Sequence, residues 1–172
     1  MPDTVSSPVI RPFLDVVLDV ADNPSLPEGY DTWGFKITRP DLRTFRRQDG
    51  TRFRWPWPGG AVTDNTAVAN GDPCPTGSTG GFCVALDLTG AHDGGYGYGP
   101  ILLLAYRQAD ILGRSNHKLR VRHCLIADLI DAREAYKSSA SANLTGANLT
   151  GANLIVLTNE QLHQIAAPRV IN

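Results

Sequence analysis

A short repeat near the carboxyl end constrains the fold more than any other stretch of this chain. From Ala142 to Leu154 the residues Ala, Asn and Leu recur with a period of five. That period is neither the roughly 3.6 residues of a helix nor the two of a strand, and a fixed short period indicates a solenoid. A five-residue step can form one side of a square coil whose leucines and small alanines point inward. The predicted repeat core is Ala142, Leu144, Ala147, Leu149, Ala152 and Leu154.

This pattern resembles the pentapeptide-repeat family, whose motif is A(D/N)LXX. The resemblance implies a right-angled β-helix with four repeats per turn, so the three repeats present would form less than one turn. Such a fragment cannot bury its own core and must lean on the preceding domain or on another chain. Thr158 and Gln161 form a capping box that predicts a helix covering one end of the coil. We interpret the fragment as a structural cap or a docking edge.

Length and composition favour one main domain with an appendage. The chain has 172 residues, a net charge of -1 and three cysteines. The near-neutral charge argues against a general electrostatic role at nucleic acid or membrane, and the few cysteines suit a reducing compartment. With no leader pattern and no long apolar run, we expect a cytoplasmic protein without a membrane partner. The predicted domains are 1–136, with 1–8 disordered, and 137–172, which holds the repeat.

The predicted fold class is α+β, with a mainly antiparallel sheet followed by a short right-angled β-helix fragment and a capping helix. Strands are predicted at 33–38, 101–106 and 124–130, with a hairpin that turns at Asp49-Gly50. Spaced acidic residues favour an amphipathic helix over Phe13–Ala21, although its β-branched residues also leave a strand open. Residues 61–81 lack periodicity and predict a long loop that is either functional or mobile.

The predicted hairpin is strongly basic. Residues 33–57 carry seven Lys or Arg against two Asp, a net +5, whereas residues 1–32 carry one Arg against six acids, a net -5. The two segments can neutralise each other, and we favour this structural interpretation because surface arginines are common. Alternatively, arginines and aromatic rings could bind phosphates and stack bases of a single strand. The candidate nucleic-acid-binding residues are Arg43, Arg46, Arg52, Arg54, Trp55 and Trp57.

No motif for a hydrolase elbow, a zinc protease, a phosphate loop or a dinucleotide site occurs, so no catalytic residue, metal or cofactor is predicted. Adjacent strand residues face opposite ways, which prevents His123 and Cys124 from forming a dyad. Cys83, His92 and His123 could converge only through the fold, and an enzyme would show them in one cleft. A small sheet with the Gly-rich lid at 94–100 would also suit an ADP-ribosyltransferase-like cleft.

The main domain is similar to uncharacterised proteins of actinobacteria and their phages that precede pentapeptide repeats. The similarity lies in Gly34-Phe35-Lys36, in the stretch 39–42, in Trp55-Pro56-Trp57-Pro58 and in the stretch 118–122. It implies a bacterial or phage origin and transfers no activity. The sequence therefore predicts a non-enzymatic protein-interaction module that binds another protein or a second copy of itself. The alternatives are single-stranded nucleic-acid binding through the Arg/Trp hairpin and an ADP-ribosyltransferase-like enzyme.

Overall fold

The computed structural model describes residues 12–44, 53–76, 78–92 and 99–141. Seven strands form one sheet in the order β2-β7-β4-β1-β3-β6-β5, and every strand pair is antiparallel. The elements in chain order are α1 (Phe13–Val20), β1 (Thr32–Ile37), β2 (Ala61–Thr63), β3 (Phe82–Ala85), α2 (Leu88–His92), β4 (Ile101–Tyr106), β5 (Ile111–Arg114), β6 (Lys118–Val121), β7 (His123–Ile130) and α3 (Ala132–Ser141). No helix in these ranges is long and apolar enough to cross a bilayer.

β6 and β7 are two halves of one bent strand, separated only by Arg122. The first half pairs with β3 and the second with β4, while β1 lies between β3 and β4 and pairs with both. The bent strand formed by β6 and β7 thus pairs at both ends of the series β3-β1-β4. The sheet must therefore fold back on itself, with a corner at the bend. The sheet therefore has an inner face enclosed by the corner and an outer face.

β4 lies at the centre, and all six of its residues are buried. Leu102 and Leu104 belong to the inner cluster, with Trp55, Phe82 and other apolar side chains. Ile101 and Leu103, which alternate with them, belong to the outer cluster beneath α1 and α3. Since both faces are covered, β4 is a continuous apolar run rather than an alternating one.

The outer face is covered by two helices that meet over an aromatic cluster. Phe13 of α1 stacks on Tyr136 of α3 at 5.5 Å and meets Phe35 of β1 edge-on at 5.4 Å, both measured between ring centroids. Val16 and Val17 are buried beside them. Phe13, Val16 and Val17 share one helix face, and the burial of that face explains why the segment forms a helix and not the strand that its β-branched residues left open.

The predicted fold class is wrong in its second part. Residues 137–141, assigned to the repeat fragment, instead extend α3 (Ala132–Ser141), and the described residues contain no right-angled β-helix. The physical reason lies in α3 itself, where Ala132, Ala135 and Tyr136 are buried against the outer face at helical spacing. The predicted repeat core, Ala142 to Leu154, and the capping helix lie outside the described residues.

Only the outer ends of the predicted basic hairpin are described. Arg43 and Arg54 form an isolated antiparallel bridge. The amide of Thr44 donates to the carbonyl of Phe53 at 2.9 Å, and that of Trp55 donates to Leu42 at 2.9 Å. These ends pair as a hairpin requires, while the turn at 45–52 lies outside the described residues.

Candidate functional site

One edge of the sheet is formed by β2 and by the turn Pro56–Gly60 that precedes it. The amide of Gly59 donates to the carbonyl of Ile126 at 2.8 Å, and the amide of Ile126 donates to Gly60 at 2.9 Å. A Cβ on Gly60 would lie 2.8 Å from the Cβ of Pro56, so only glycine fits there. Two prolines and these backbone bonds fix the turn against β7.

Trp57 projects from this turn with 52% of its surface exposed, more than the other exposed large apolar residues of the described chain, Leu26 and Val68. Trp55, two residues earlier, is only 2% exposed. It meets Phe53 edge-on at 5.4 Å and is tilted against Phe82 at 5.8 Å between ring centroids. One tryptophan therefore belongs to the inner core, while the other is presented to solvent on a rigid support.

β2 leaves its outer side unpaired in the described part of the chain. The carbonyl of Gly60 accepts the amide of Ile126, and the amide of Asp64 donates to the carbonyl of Arg122 just before β7, on either side of the register pair Val62–Cys124. Because strand residues alternate, the amide and carbonyl groups of Ala61 and Thr63 point away from β7. We call β2, the turn Pro56–Gly60 and the side of β7 that no described strand pairs with (residues 127–130) the open edge.

His123 fixes one end of the open edge. Its Nδ1 lies 2.6 Å from the hydroxyl of Thr63 on β2, and its Nε2 lies 2.6 Å from the hydroxyl of Tyr30. The Tyr30 and His123 rings also stack, with centroids 5.6 Å apart. Burial raises the pKa of Tyr30, with Arg107 acting in the opposite direction, so the hydroxyl stays protonated at neutral pH. The sequence drew attention to His123 but not to these two partners.

Cys83 and His123, two of the residues considered for catalysis, do not form a catalytic pair. Cys83 lies on β3 opposite Arg120, whereas the two ring nitrogens of His123 contact the hydroxyls of Thr63 and Tyr30. Burial raises the pKa of Cys124 to about 12, so its thiol is not a nucleophile at neutral pH. His92 is the last residue of α2. Within the described ranges, no group of three or more His, Cys, Asp or Glu side chains could hold a metal ion.

An aspartate–histidine pair that the sequence did not reveal joins α2 to the β5–β6 turn. Nδ1 of His117 lies 2.6 Å from Oδ2 of Asp87, whose Oδ1 accepts the Gly90 amide at 2.9 Å. The Leu86 amide donates to the His117 carbonyl at 2.9 Å. A Cβ on Gly90 would overlap that carbonyl. These contacts fix the turn to the helix start, and we assign the pair a structural role.

The candidate nucleic-acid residues are only partly brought together. Arg43 and Arg54 are exposed and lie directly opposite each other. The carboxylate of Asp41 lies 3.8 Å from Nε of Arg43 and 3.8 Å from Nε of Arg39, and its negative charge reduces the repulsion among these arginines. Arg46 and Arg52 lie outside the described residues. Because Trp55 is buried, its ring is not available to stack on a base.

Comparison of the chain with protein-family models, with curated proteins and with solved structures found no match. Its function is therefore inferred from the geometry of the described residues.

Proposed function

We propose that this chain is a non-enzymatic protein-interaction module that binds an extended segment of another protein along the open edge. The observation that carries the proposal is Trp57, half exposed on a turn that is hydrogen-bonded to β7. A large aromatic side chain on a rigid support loses little conformational entropy on binding, which is why tryptophan is enriched among residues that dominate interface energies.

The backbone beside Trp57 suits strand addition. The outward amide and carbonyl groups of Ala61 and Thr63 can pair with an extended peptide, which would give affinity without requiring a particular sequence. β2 has only three residues, so these bonds are few. Trp57 must therefore supply most of the binding energy, and we expect an affinity in the micromolar range.

A selection from a random peptide library tests this proposal. Selected peptides are titrated against the wild type, Trp57→Ala and the matched control Val68→Ala, which removes an apolar side chain of similar exposure, 49%, outside the open edge. We expect binding to weaken at least about tenfold for Trp57→Ala, because truncating an anchor residue costs more than about 1.4 kcal/mol. Val68→Ala should bind as the wild type does.

Two outcomes would contradict the proposal. One is that the selection enriches no peptide, and the other is that the enriched peptides bind Trp57→Ala as tightly as wild type. Sedimentation of the protein alone at rising concentration distinguishes another protein from a second copy of the chain. Self-association that Trp57→Ala abolishes would identify the partner as this same chain.

Single-stranded nucleic-acid binding is the second candidate, and the exposed pair Arg43 and Arg54 supports it. Affinity for a labelled oligonucleotide should then fall steeply with salt, because each neutralised phosphate releases counterions. Replacing both arginines with alanine should reduce the magnitude of the logarithmic salt slope by about 1.4, roughly 0.7 per contact. Binding that does not depend on salt, or no binding at micromolar protein, would exclude this candidate.

The proposed setting is the cytoplasm of a bacterium, or of the host cell if the chain is encoded by a phage. It rests on the resemblance of the chain to actinobacterial and phage proteins and on its few cysteines.

A further inference from the structure

The long loop between β2 and β3 is built around a buried arginine. Arg120 of β6 is 0% exposed. An arginine side chain carries five N–H donors, and here each one has an acceptor. The acceptors are the carbonyl of Asp72 for Nε at 3.0 Å, those of Thr79 and Gly80 for Nη1 at 3.2 and 2.9 Å, and the carbonyl of Val68 and Oδ1 of Asn70 for Nη2, each at 2.8 Å. We call residues 64–76 and 78–80 the arginine-centred loop.

None of the five acceptors of Arg120 is a carboxylate. Each is a neutral carbonyl, and four of them belong to the backbone. A buried cation loses its hydration, and a hydrogen bond to an ionised acceptor would compensate more of that loss than a bond to a neutral one. Of the five acceptors, only Asn70 Oδ1 is a side-chain atom, so only this one can become charged by a change of side chain.

Asn70 is followed by Gly71, and this is the only Asn-Gly pair in the chain. Because glycine has no side chain to hinder the approach, the backbone amide nitrogen of Gly71 can reach Cγ of Asn70. That nitrogen forms a bond to Cγ, ammonia leaves with the added proton, and a cyclic imide results. Water then opens the imide at one of its two carbonyls and yields aspartate or isoaspartate.

We propose that Asn70 is a deamidation site and that its aspartate product forms a charged latch on Arg120. In the closed loop the Gly71 amide donates to the Leu112 carbonyl at 3.1 Å, and Asn70 Oδ1 also accepts the Asp72 amide at 3.0 Å. The nucleophile and its target are thus both engaged, so the reaction proceeds when the loop opens. An aspartate oxygen then occupies the position of Oδ1 and holds Arg120 by a charge-assisted bond.

Only the aspartate product can act as the latch. Isoaspartate lengthens the main chain by one carbon, which displaces Gly71 from its parallel bridge to Gly113. The two products therefore have opposite effects on the loop, and only the fraction of the imide that opens to aspartate gives the latched form.

The chemical step is tested by incubating the full chain at mildly alkaline pH, with and without denaturant, and mapping its peptides by mass spectrometry. Conversion at Asn70 should exceed that at Asn65, an exposed asparagine of the same loop that precedes threonine. Denaturant should accelerate conversion at least about tenfold, because it removes the protection that closure gives. Asn70 that stays unchanged in native buffer while it converts in denaturant would overturn the proposal for the folded protein.

The latch is tested separately by thermal unfolding of Asn70→Asp. Its control is Asn65→Asp, which adds the same charge to the loop without contacting Arg120. We expect Asn70→Asp to raise Tm by roughly 2–4 °C, as a gain of one charge-assisted bond implies for a chain of this length, and Asn65→Asp to leave Tm unchanged. If Asn70→Asp melts at or below the wild-type temperature, the latch is refuted whatever the rate of deamidation.

Discussion

The two edges of this sheet differ in how they are covered. At one end, β5 receives the arginine-centred loop, whose Gly71 bridges Gly113 in parallel and donates its amide to Leu112. At the other end, β2 has no described strand beyond it, and Trp57 stands exposed beside it. An uncovered edge favours unwanted pairing with other chains, so proteins usually cover it, shorten it or charge it.

The contrast teaches that edge coverage is selective in this molecule. The arginine-centred loop leaves β2, crosses the outer face of β6, where it encloses Arg120, and covers β5 at the far end of the sheet. The chain thus uses its longest described loop on one edge and leaves the other with an exposed tryptophan. This difference supports our proposal that the β2 side receives a partner, while the β5 side is closed by the chain itself.

The largest expected effect comes from removing the centre of the covered edge. Arg120→Ala leaves five acceptors without their donor and empties a buried site, and we expect it to lower the free energy of unfolding by about 3–5 kcal/mol. Arg122→Ala is the control, because Arg122 is only half buried and its side chain makes one bond, 3.3 Å long, to Ala67. Denaturant unfolding measures both, and equal losses would show that Arg120 does not organise the loop.

Gly113→Ala tests the same edge without removing a charge. A Cβ at Gly113 would overlap the backbone of Gly71 and Asp72, so the loop must move away from β5. We expect a loss of about 2 kcal/mol together with faster proteolysis within residues 64–76. Gly59→Ala at the open edge meets no atom within 4 Å, and its positive φ of 92° should cost about 1 kcal/mol. A Gly113→Ala protein whose loop remains resistant to protease would refute close packing at the covered edge.

The sequence predicted the central strands well and the edges poorly. The unbroken apolar run of Ile101–Tyr106 requires burial on both faces, and that is where β4 lies. β2 and β5 were missed because they have only three and four residues, too few to show a period. The repeat also drew attention to residues beyond the sheet, so the continuation of α3 through residues 137–141 was not predicted.

The candidate site shows a similar limit. Arg120 alternates with Leu119 and Val121 as a solvent-facing strand residue would, and only the loop folded over it reveals a buried cation. Trp55 and Trp57 are equivalent in sequence, because each precedes a proline. Their exposure differs because Trp55 directly follows the bridged residue Arg54 and packs in the inner cluster. Trp57 instead lies in the turn that Gly59 and Gly60 fix against β7, and this turn places its ring in solvent. Contacts made through the fold, rather than local pattern, decide these roles.

Alkaline pH probes the inner side of the open edge, because Cys124 lies in register with Val62 of β2. Burial raises the pKa of Cys124 from 9.0 to about 12, so the native state holds this proton more tightly than the unfolded chain does. The protonated Cys124 thiol therefore contributes to the free energy of unfolding. This contribution is complete below pH 9 and is lost as pH rises toward 12, at up to about 1.4 kcal/mol per pH unit. Cys124→Val should abolish this part of the loss in unfolding measured between pH 8 and about pH 10.5. An unchanged pH profile would mean that the thiol is not sealed beneath β2.

The smallest effect distinguishes a binding residue from a structural one. Trp57 is 52% exposed, and the turn beneath it is held by backbone bonds of Gly59 and Gly60 that do not involve the indole ring. Trp57→Ala should therefore change the free energy of unfolding by less than about 0.5 kcal/mol. Trp55→Ala, which empties a site in the inner cluster, should cost about 3–5 kcal/mol. If Trp57→Ala instead costs more than about 1 kcal/mol in denaturant unfolding, the ring stabilises the open edge itself. A neutral result means that any loss of peptide binding by this variant reports the contact with the partner.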